Sequence, residues 1–197
     1  MGLREKKAQK VREAIYDAML TLVERHGYDA ATVEQVAEHA EVGISTVYRY
    51  FENKDAILLD PIERNVTRLA DLFRTRPDDE DVAVSLGSVV HSALDLDAAT
   101  RVQLRRLRTQ LSHAPGPRAR LWDFLHRQRL LLEDAIAERS DRGALWNSAA
   151  AHLTTMIISM ASNHAHDCPD DSTPADYADQ VIAILHGADS PLPRRQH

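Results

Sequence analysis

The sequence predicts an all-α fold of about nine helices, a short N-terminal helical module followed by a larger helical domain. Three observations predict it. Glycine is scarce, with 7 in 197 residues. β-Branched residues are scattered rather than alternating with polar ones, and no stretch has a convincing period of two. Apolar residues instead recur three and four apart, between short segments rich in proline, aspartate and glycine.

Residues 8–26 read as the first helix, with Ala14, Ile15, Ala18, Leu22 and Val23 at helical spacing and Gly27 closing it. "TVEQVAEHA" reads as the second. Thr32 stands at its start with Gln35 three residues on, the spacing of a capping box, and Val33, Val36, Ala37 and Ala40 form its inward stripe. "EVG" then turns the chain into "ISTVYRYF", a short third helix. Helix, tight turn and short helix is the helix-turn-helix layout.

From Lys54 the helices lengthen. They are expected near 54–74, 79–96, 98–113, 117–139, 144–166 and 174–187. The breaks are "RTRPDDED", "DLDAAT", "HAPGPR", "SDRG" and "DCPDDSTP". Pro61 falls inside the fourth helix and should kink it or mark its first turns. The division expected is a helix-turn-helix domain over 1–54 with a basic N-terminal arm, a helical domain over 55–188, and a frayed tail over 189–197.

Composition narrows the class. A hydrophobic content of 44% suffices for a core. The single cysteine, Cys168, rules out an intramolecular disulfide and fits the cytoplasm. "MGLREKKAQK" has no apolar run behind it and does not read as a secretory signal. "AAAHLTTMIISMA" is too short and too polar to cross a bilayer, so no membrane partner is expected. A net charge of −6 argues against wholesale coating of nucleic acid but leaves room for a local basic footprint. Arg4, Lys6, Lys7, Lys10 and Arg12 against Glu5 supply one at the N-terminus, as an arm reaching phosphates or as a solubilising tail.

On the third helix, Val47 and Phe51 are the core-facing pair. At 100° per residue Ser45 and Arg49 then point away, with Thr46 and Tyr48 on the flanks. Hydroxyls, a guanidinium and a phenol on one face suit a major groove. Arginine can grip guanine O6 and N7, threonine a thymine methyl or a phosphate, and tyrosine a phosphate oxygen. Lys54, at the start of the next helix, can hold a phosphate with the free backbone amides. The competing reading is a solvated helix face. The DNA-contact candidates are Thr32, Ile44, Ser45, Thr46, Tyr48, Arg49, Tyr50 and Lys54.

"GYDAATVEQVAEHAEVGISTVYRYFENKDAIL" resembles the DNA-binding module of the TetR/AcrR-type bacterial transcriptional regulators. The resemblance covers about residues 10–58 and rests on Gly27, Thr32, Ala37, Ala40, Val42, Thr46-Val47-Tyr48, Phe51 and Asn53-Lys54. Two positions depart from it. Glu41 stands where glycine is frequent in the turn, and Gly43 where serine often caps the reading helix. Glu34, early in the second helix, either accepts from a cytosine amine or lies off the DNA.

The resemblance implies a homodimer whose C-terminal domain binds a small-molecule effector. Binding would move the fourth helix, spread two reading heads and release the operator. Leu121, Leu125, Leu132 and Ile136 form a core stripe on the helix near 117–139. Trp122, His126, Arg129 and Glu133 form the neighbouring stripe, which either lines a pocket or is an intrahelical charge network. His91, Trp146 and Met156 are further pocket candidates.

The last two helices are apolar over wide arcs: Ala149, Leu153, Met156, Ile157 and Met160 on one, and Tyr177, Val181, Ile182, Ile184 and Leu185 on the other. Core on one side and a partner subunit on the other would cover both arcs, and the resemblance implies a four-helix dimer interface there.

"NHAHDC" keeps another class open. His164, His166, Asp167 and Cys168 could hold a metal or form a cysteine–histidine nucleophile pair, but no second ligand pair is evident. Phosphate-loop, nucleophile-elbow and zinc-protease motifs are missing from the sequence. The reading is therefore a ligand-responsive regulator, most simply a repressor on an inverted-repeat operator. It is not an enzyme and needs no cofactor or metal. The alternatives are a helical metal-binding protein or enzyme built on the His/Cys cluster, and a DNA-binding protein that answers to no ligand.

Overall fold

The computed structural model describes residues 2–167, 172–187 and 190–192. Among them are ten α-helices and no strand: α1 Leu3–His26, α2 Val33–His39, α3 Ile44–Tyr50, α4 Lys54–Glu63, α5 Arg68–Arg74, α6 Val82–Leu94, α7 Ala98–Leu111, α8 Pro115–Ala137, α9 Ala144–Asp167 and α10 Pro174–His186. The nine expected helices are all present, and the fourth is divided into α4 and α5 by turns at 64–67. Pro61 lies two residues before the end of α4 and cannot donate the bond that would extend the ladder. Asn65 then donates from Nδ2 to the Pro61 carbonyl at 2.7 Å and caps the break.

The described chain forms two compact units. One comprises residues 1–66 and 99–125, the other 67–98 and 126–197. The first thus gathers α4, α7 and the start of α8 around the three N-terminal helices. α8 runs on past Leu125 into the second unit.

In the first unit α1 packs on α2 and α4. Its inward arc is Ile15, Ala18, Met19, Leu20, Leu22 and Val23. Ala14, expected in that arc, is exposed, because the face turned to two helices is centred one residue further on. The basic stretch expected as an arm is helical from Leu3. Ile57, Leu58 and Leu59 are all fully buried, so α4 is apolar on several sides and enclosed by its neighbours. Leu107 and Leu111 of α7 close the same core.

Asp60 is the charged exception in α4, only 3% exposed. Arg12 of α1 donates from Nη2 to its Oδ1, and the Arg64 Nε lies 3.0 Å from its Oδ2. The Arg12 guanidinium also sits 4.7 Å above the Phe51 ring. A buried carboxylate is tolerated only when so paired.

The second unit has two clusters. Leu69, Ala70 and Phe73 of α5 pack with Leu86 and Val89 of α6, Leu132 and Ile136 of α8, and Ala151 of α9. Val90, Leu94, Ile157, Ala161, Tyr177 and Ala178 join α6, α9 and α10. Along α8 three of the four residues of the expected core stripe face inward, with Leu121 half-buried against the first core. Leu132 and Ile136 are buried, but Phe124 takes the inward place expected of Leu125, which is exposed. At 100° per residue a one-residue error of phase moves a side chain from core to water.

Arg139 donates from Nη2 to the Glu80 carbonyl at 2.8 Å and lies over Phe73 at 4.7 Å. Glu80 accepts from Arg76 Nε at 2.9 Å and from the Ser85 hydroxyl at 2.7 Å. Those donors, Arg76 foremost, pull its carboxyl down to about 2. No single helix among the described residues is long and apolar enough to cross a membrane.

Candidate nucleic-acid interface

The interface begins with the turn that aims α3. Thr32 caps α2 as expected: its hydroxyl accepts from the Gln35 amide at 3.3 Å, and its own amide donates to Gln35 Oε1 at 3.0 Å. α2 then ends in a reversal in which the Val42 amide donates to the Ala37 carbonyl at 3.0 Å. Glu41 makes the reversal with φ of 54°, in the left-handed region where glycine is at ease and a Cβ crowds the backbone. The departure noted in the sequence is thus a site of strain. Gly43 is the N-cap of α3 and offers no side-chain acceptor.

α3 is anchored by Val47, which is 0% exposed, and by Phe51 just after it at 4%. Together they contribute roughly 3–6 kcal/mol of burial, enough to fix the roll of a seven-residue helix. Ile44, Ser45, Tyr48 and Arg49 are exposed as a result, and Tyr48 retains 53% of its surface. Thr46 is half-buried on the flank. Tyr50 is half-buried between two cations, with the Arg49 guanidinium 5.2 Å and that of Arg12 5.8 Å from its ring centre. The phenol therefore helps to orient Arg49 at the rim of the reading face.

Lys54 is engaged within the protein. Its Nζ donates to the carbonyls of Tyr28 at 3.1 Å and Ala31 at 3.5 Å, and lies 4.2 Å from the Tyr28 ring centre. It staples the loop between α1 and α2 to the start of α4. Two of the ammonium's three hydrogens are engaged by those carbonyl oxygens. The Asn53 side chain accepts from the Ala56 amide at 2.9 Å, which removes one of the free amides of α4.

The effector candidates are dispersed. Trp122 is 68% exposed and His126 is exposed. Arg129 donates to Glu133 at 2.7 Å and lies 3.3 Å from His126 Nδ1, while the Ser148 hydroxyl also donates to Glu133 at 3.1 Å. Charge along this stripe is met within the helix and by α9. His91 Nε2 lies 3.0 Å from Asp179 of α10, at the surface. Met156 is exposed on the outer side of α9. Trp146 lines a cavity, and Arg142 stacks on its ring at 4.6 Å. His164 meets Tyr177 edge-on at 4.4 Å, and Cys168 lies outside the described residues.

That cavity, of about 280 Å³, is an apolar groove between α6, α9 and α10. Leu86, Val90, Leu153 and Ile182 line it with Trp146, and His186 is at its edge. Gly87 also lines it, and a Cβ built there would meet nothing within 4 Å. A glycine inside a helix costs about 1 kcal/mol relative to alanine, so this is open space kept at some expense of stability. The signal legible in the sequence was an unbroken helical pattern running through Gly87.

Residues 15–60 match the family model of bacterial regulatory proteins, tetR family. The chain is 30% identical over 93 residues to the HTH-type transcriptional regulator TcmR of Streptomyces glaucescens, covering 47% of this chain and 41% of that protein. It is 41% identical over 63 residues to the HTH-type transcriptional repressor KstR of Rhodococcus jostii, covering 32% of this chain and 30% of that one. The matches therefore span less than half of either relative. Among solved structures, the fatty acid degradation regulator FadR from Bacillus halodurans superposes with a TM-score of 0.63 at 22% identity, covering 90% of this chain and 95% of that one. Residues 15–60 are thus similar to the tetR family of bacterial regulatory proteins, and the chain shares the all-helical fold of FadR.

Proposed function

We propose that the chain is a homodimeric, cytoplasmic TetR-type transcriptional repressor that grips an inverted-repeat operator and releases it on binding a small molecule. The observation that carries this reading is the roll of α3, which buries Val47 and Phe51 and presents Ser45, Tyr48 and Arg49 together to solvent. A seven-residue helix held this firmly is useful as a probe of a groove. The N-terminal turns of α1, with Arg4, Lys6, Lys7 and Lys10, supply a positive patch in an otherwise acidic chain.

The dimer would form through α9 and α10. Leu153, Met156 and Met160 are exposed on one side of α9, and Ile184 is exposed on α10. Ile157 is buried instead against α6 and α10, so it belongs to the subunit's own core. The functional division proposed is a reading domain over 1–54 and an effector and dimer domain over 55–188.

The effector would occupy the groove beside Gly87 and Trp146 rather than the Trp122 stripe. Its lining calls for a largely apolar molecule with an acceptor group near His186. Release requires only that the ligand prefer the non-operator conformation. A hundredfold preference amounts to about 2.7 kcal/mol.

The test is binding to duplexes enriched by the protein from a randomised library, measured against salt. Two inverted half-sites and a log–log slope of roughly −4 to −8 are expected from several phosphate contacts per subunit. Equal affinity for random duplexes, or a slope near zero, removes the specific-repressor reading.

A further inference from the structure

Arg120, in the second turn of α8, reaches two carboxylates, one just before α4 and one at its end. Its Nε donates to Glu63 Oε1 at 2.5 Å and its Nη2 to Glu63 Oε2 at 3.3 Å. Its Nη1 donates to Glu52 Oε1 at 2.6 Å. Glu63 is the last residue of α4, and Glu52 sits in the turn between α3 and α4. One guanidinium thus holds both ends of α4, and one of those ends is the exit of the reading helix. Asp55 of α4 faces the same arginine, and burial raises its carboxyl. A Cβ on Gly116 would come 3.6 Å from Asp55 Oδ2, so the first turn of α8 lies close against the first turn of α4.

We infer that Arg120 is a positioning residue for operator recognition, a latch that fixes α4 and the α3 exit turn against α8 and so sets the half-site spacing the dimer accepts. This rests on the operator-binding function proposed above. The reasoning is geometric. A planar guanidinium gripping carboxylates some ten residues apart along the chain constrains direction as well as distance. α8, the helix that carries Arg120, continues along the chain past Leu125 into the proposed dimer domain. Arg120 does not touch the exposed face of α3, and its loss leaves Ser45, Tyr48 and Arg49 where Val47 and Phe51 hold them. Recognition of one half-site and tolerance of spacing should therefore separate.

The experiment uses the full-length protein, the inverted-repeat duplex enriched by the wild type, the same duplex with one base pair added or removed between half-sites, and a single half-site duplex. For Arg120→Gln the penalty for altered spacing should shrink at least about fivefold, a change within the usual range of coupling between sites. Affinity for the single half-site should stay within about twofold, since phosphate and base contacts are unchanged. Arg120→Lys, a point charge that cannot serve both carboxylates at once, should fall between. Glu52→Gln, at an exposed partner, should reproduce part of the effect without disturbing the core. Exchange of charges in Arg120→Glu with Glu63→Arg should restore part of the wild-type penalty. An unchanged spacing penalty in Arg120→Gln overturns this inference alone, and so does an equal loss on the single half-site. Failure of the wild type to enrich any inverted repeat overturns the proposed function and this inference with it.

Discussion

The reading head and the groove are built on opposite plans. Around α3 and α4 the inward and charged side chains have fixed places: Val47 and Phe51 in the core, Tyr50 between two guanidinium groups, and Asp60 and Lys54 held by named partners. Around α6, α9 and α10 the chain leaves about 280 Å³ open and puts a glycine where a methyl would fit. The difference teaches where rigidity is placed. Under the proposed function, the surface that would match a preformed duplex is tied down, whereas the one that would accept a variable guest is left incompletely filled.

The largest effect should come from untying the head. Phe51→Ala removes the anchor that sets the roll of α3 and the ring beneath Arg12, and should cost about 3–5 kcal/mol in urea unfolding. A loss under about 1 kcal/mol would mean that α3 is held by something other than its two anchors.

Next is filling the groove. Gly87→Leu should raise stability by about 0.5–1 kcal/mol through helix propensity while abolishing enhancement of N-phenylnaphthylamine fluorescence by the protein. Unfolding and dye titration check the two halves separately. Destabilisation would show that the space is not free, and undiminished dye binding would place the apolar site elsewhere.

Strain in the turn gives a comparable but simpler shift. Glu41→Gly should stabilise by about 1 kcal/mol, because glycine adopts the left-handed conformation without crowding. It also removes a negative charge near the reading helix, so operator affinity should rise at low salt. A destabilised variant would contradict the strain assigned to that φ.

The smallest effect concerns acid. The carboxyl of Glu80 is depressed to about 2 by Arg76 and Ser85, so its ionised form favours the folded state. Its contribution is complete above the ordinary glutamate range and is lost as pH falls from there through about 2. Glu80→Gln should therefore destabilise at neutral pH and converge on wild type near pH 2 in chemical unfolding. Parallel curves from pH 7 to the acid limit would mean that Glu80 matters for its shape and not its charge.

The two regions also differ in how far the sequence revealed them. The head was legible because its parts lie close along the chain: Thr32 with Gln35, Val47 with Phe51, and Glu41 in place of a turn glycine. The groove was not, because Gly87, Trp146 and His186 meet only through three helices packed together. Periodicity gives the phase of a helix relative to its own axis and says little about which neighbour fills a given arc. That is why Phe124 rather than Leu125 is buried, why Ile157 faces the subunit's own core, and why Trp122 is exposed. Pro61 was visible, but its consequence, a break into α4 and α5, depended on the Asn65 side chain that caps it.

The most direct test of the reading face is the base-preference profile of Arg49→Ala on half-sites enriched by the wild type. Arg49 is exposed and set at the rim of α3 by Tyr50, so its loss should relax preference at one base pair in each half-site by about 1–3 kcal/mol. Tyr48→Phe should weaken all sequences alike, as a phosphate contact does. A profile for Arg49→Ala that superposes on the wild type would contradict the claim that this face of α3 reads DNA through Arg49.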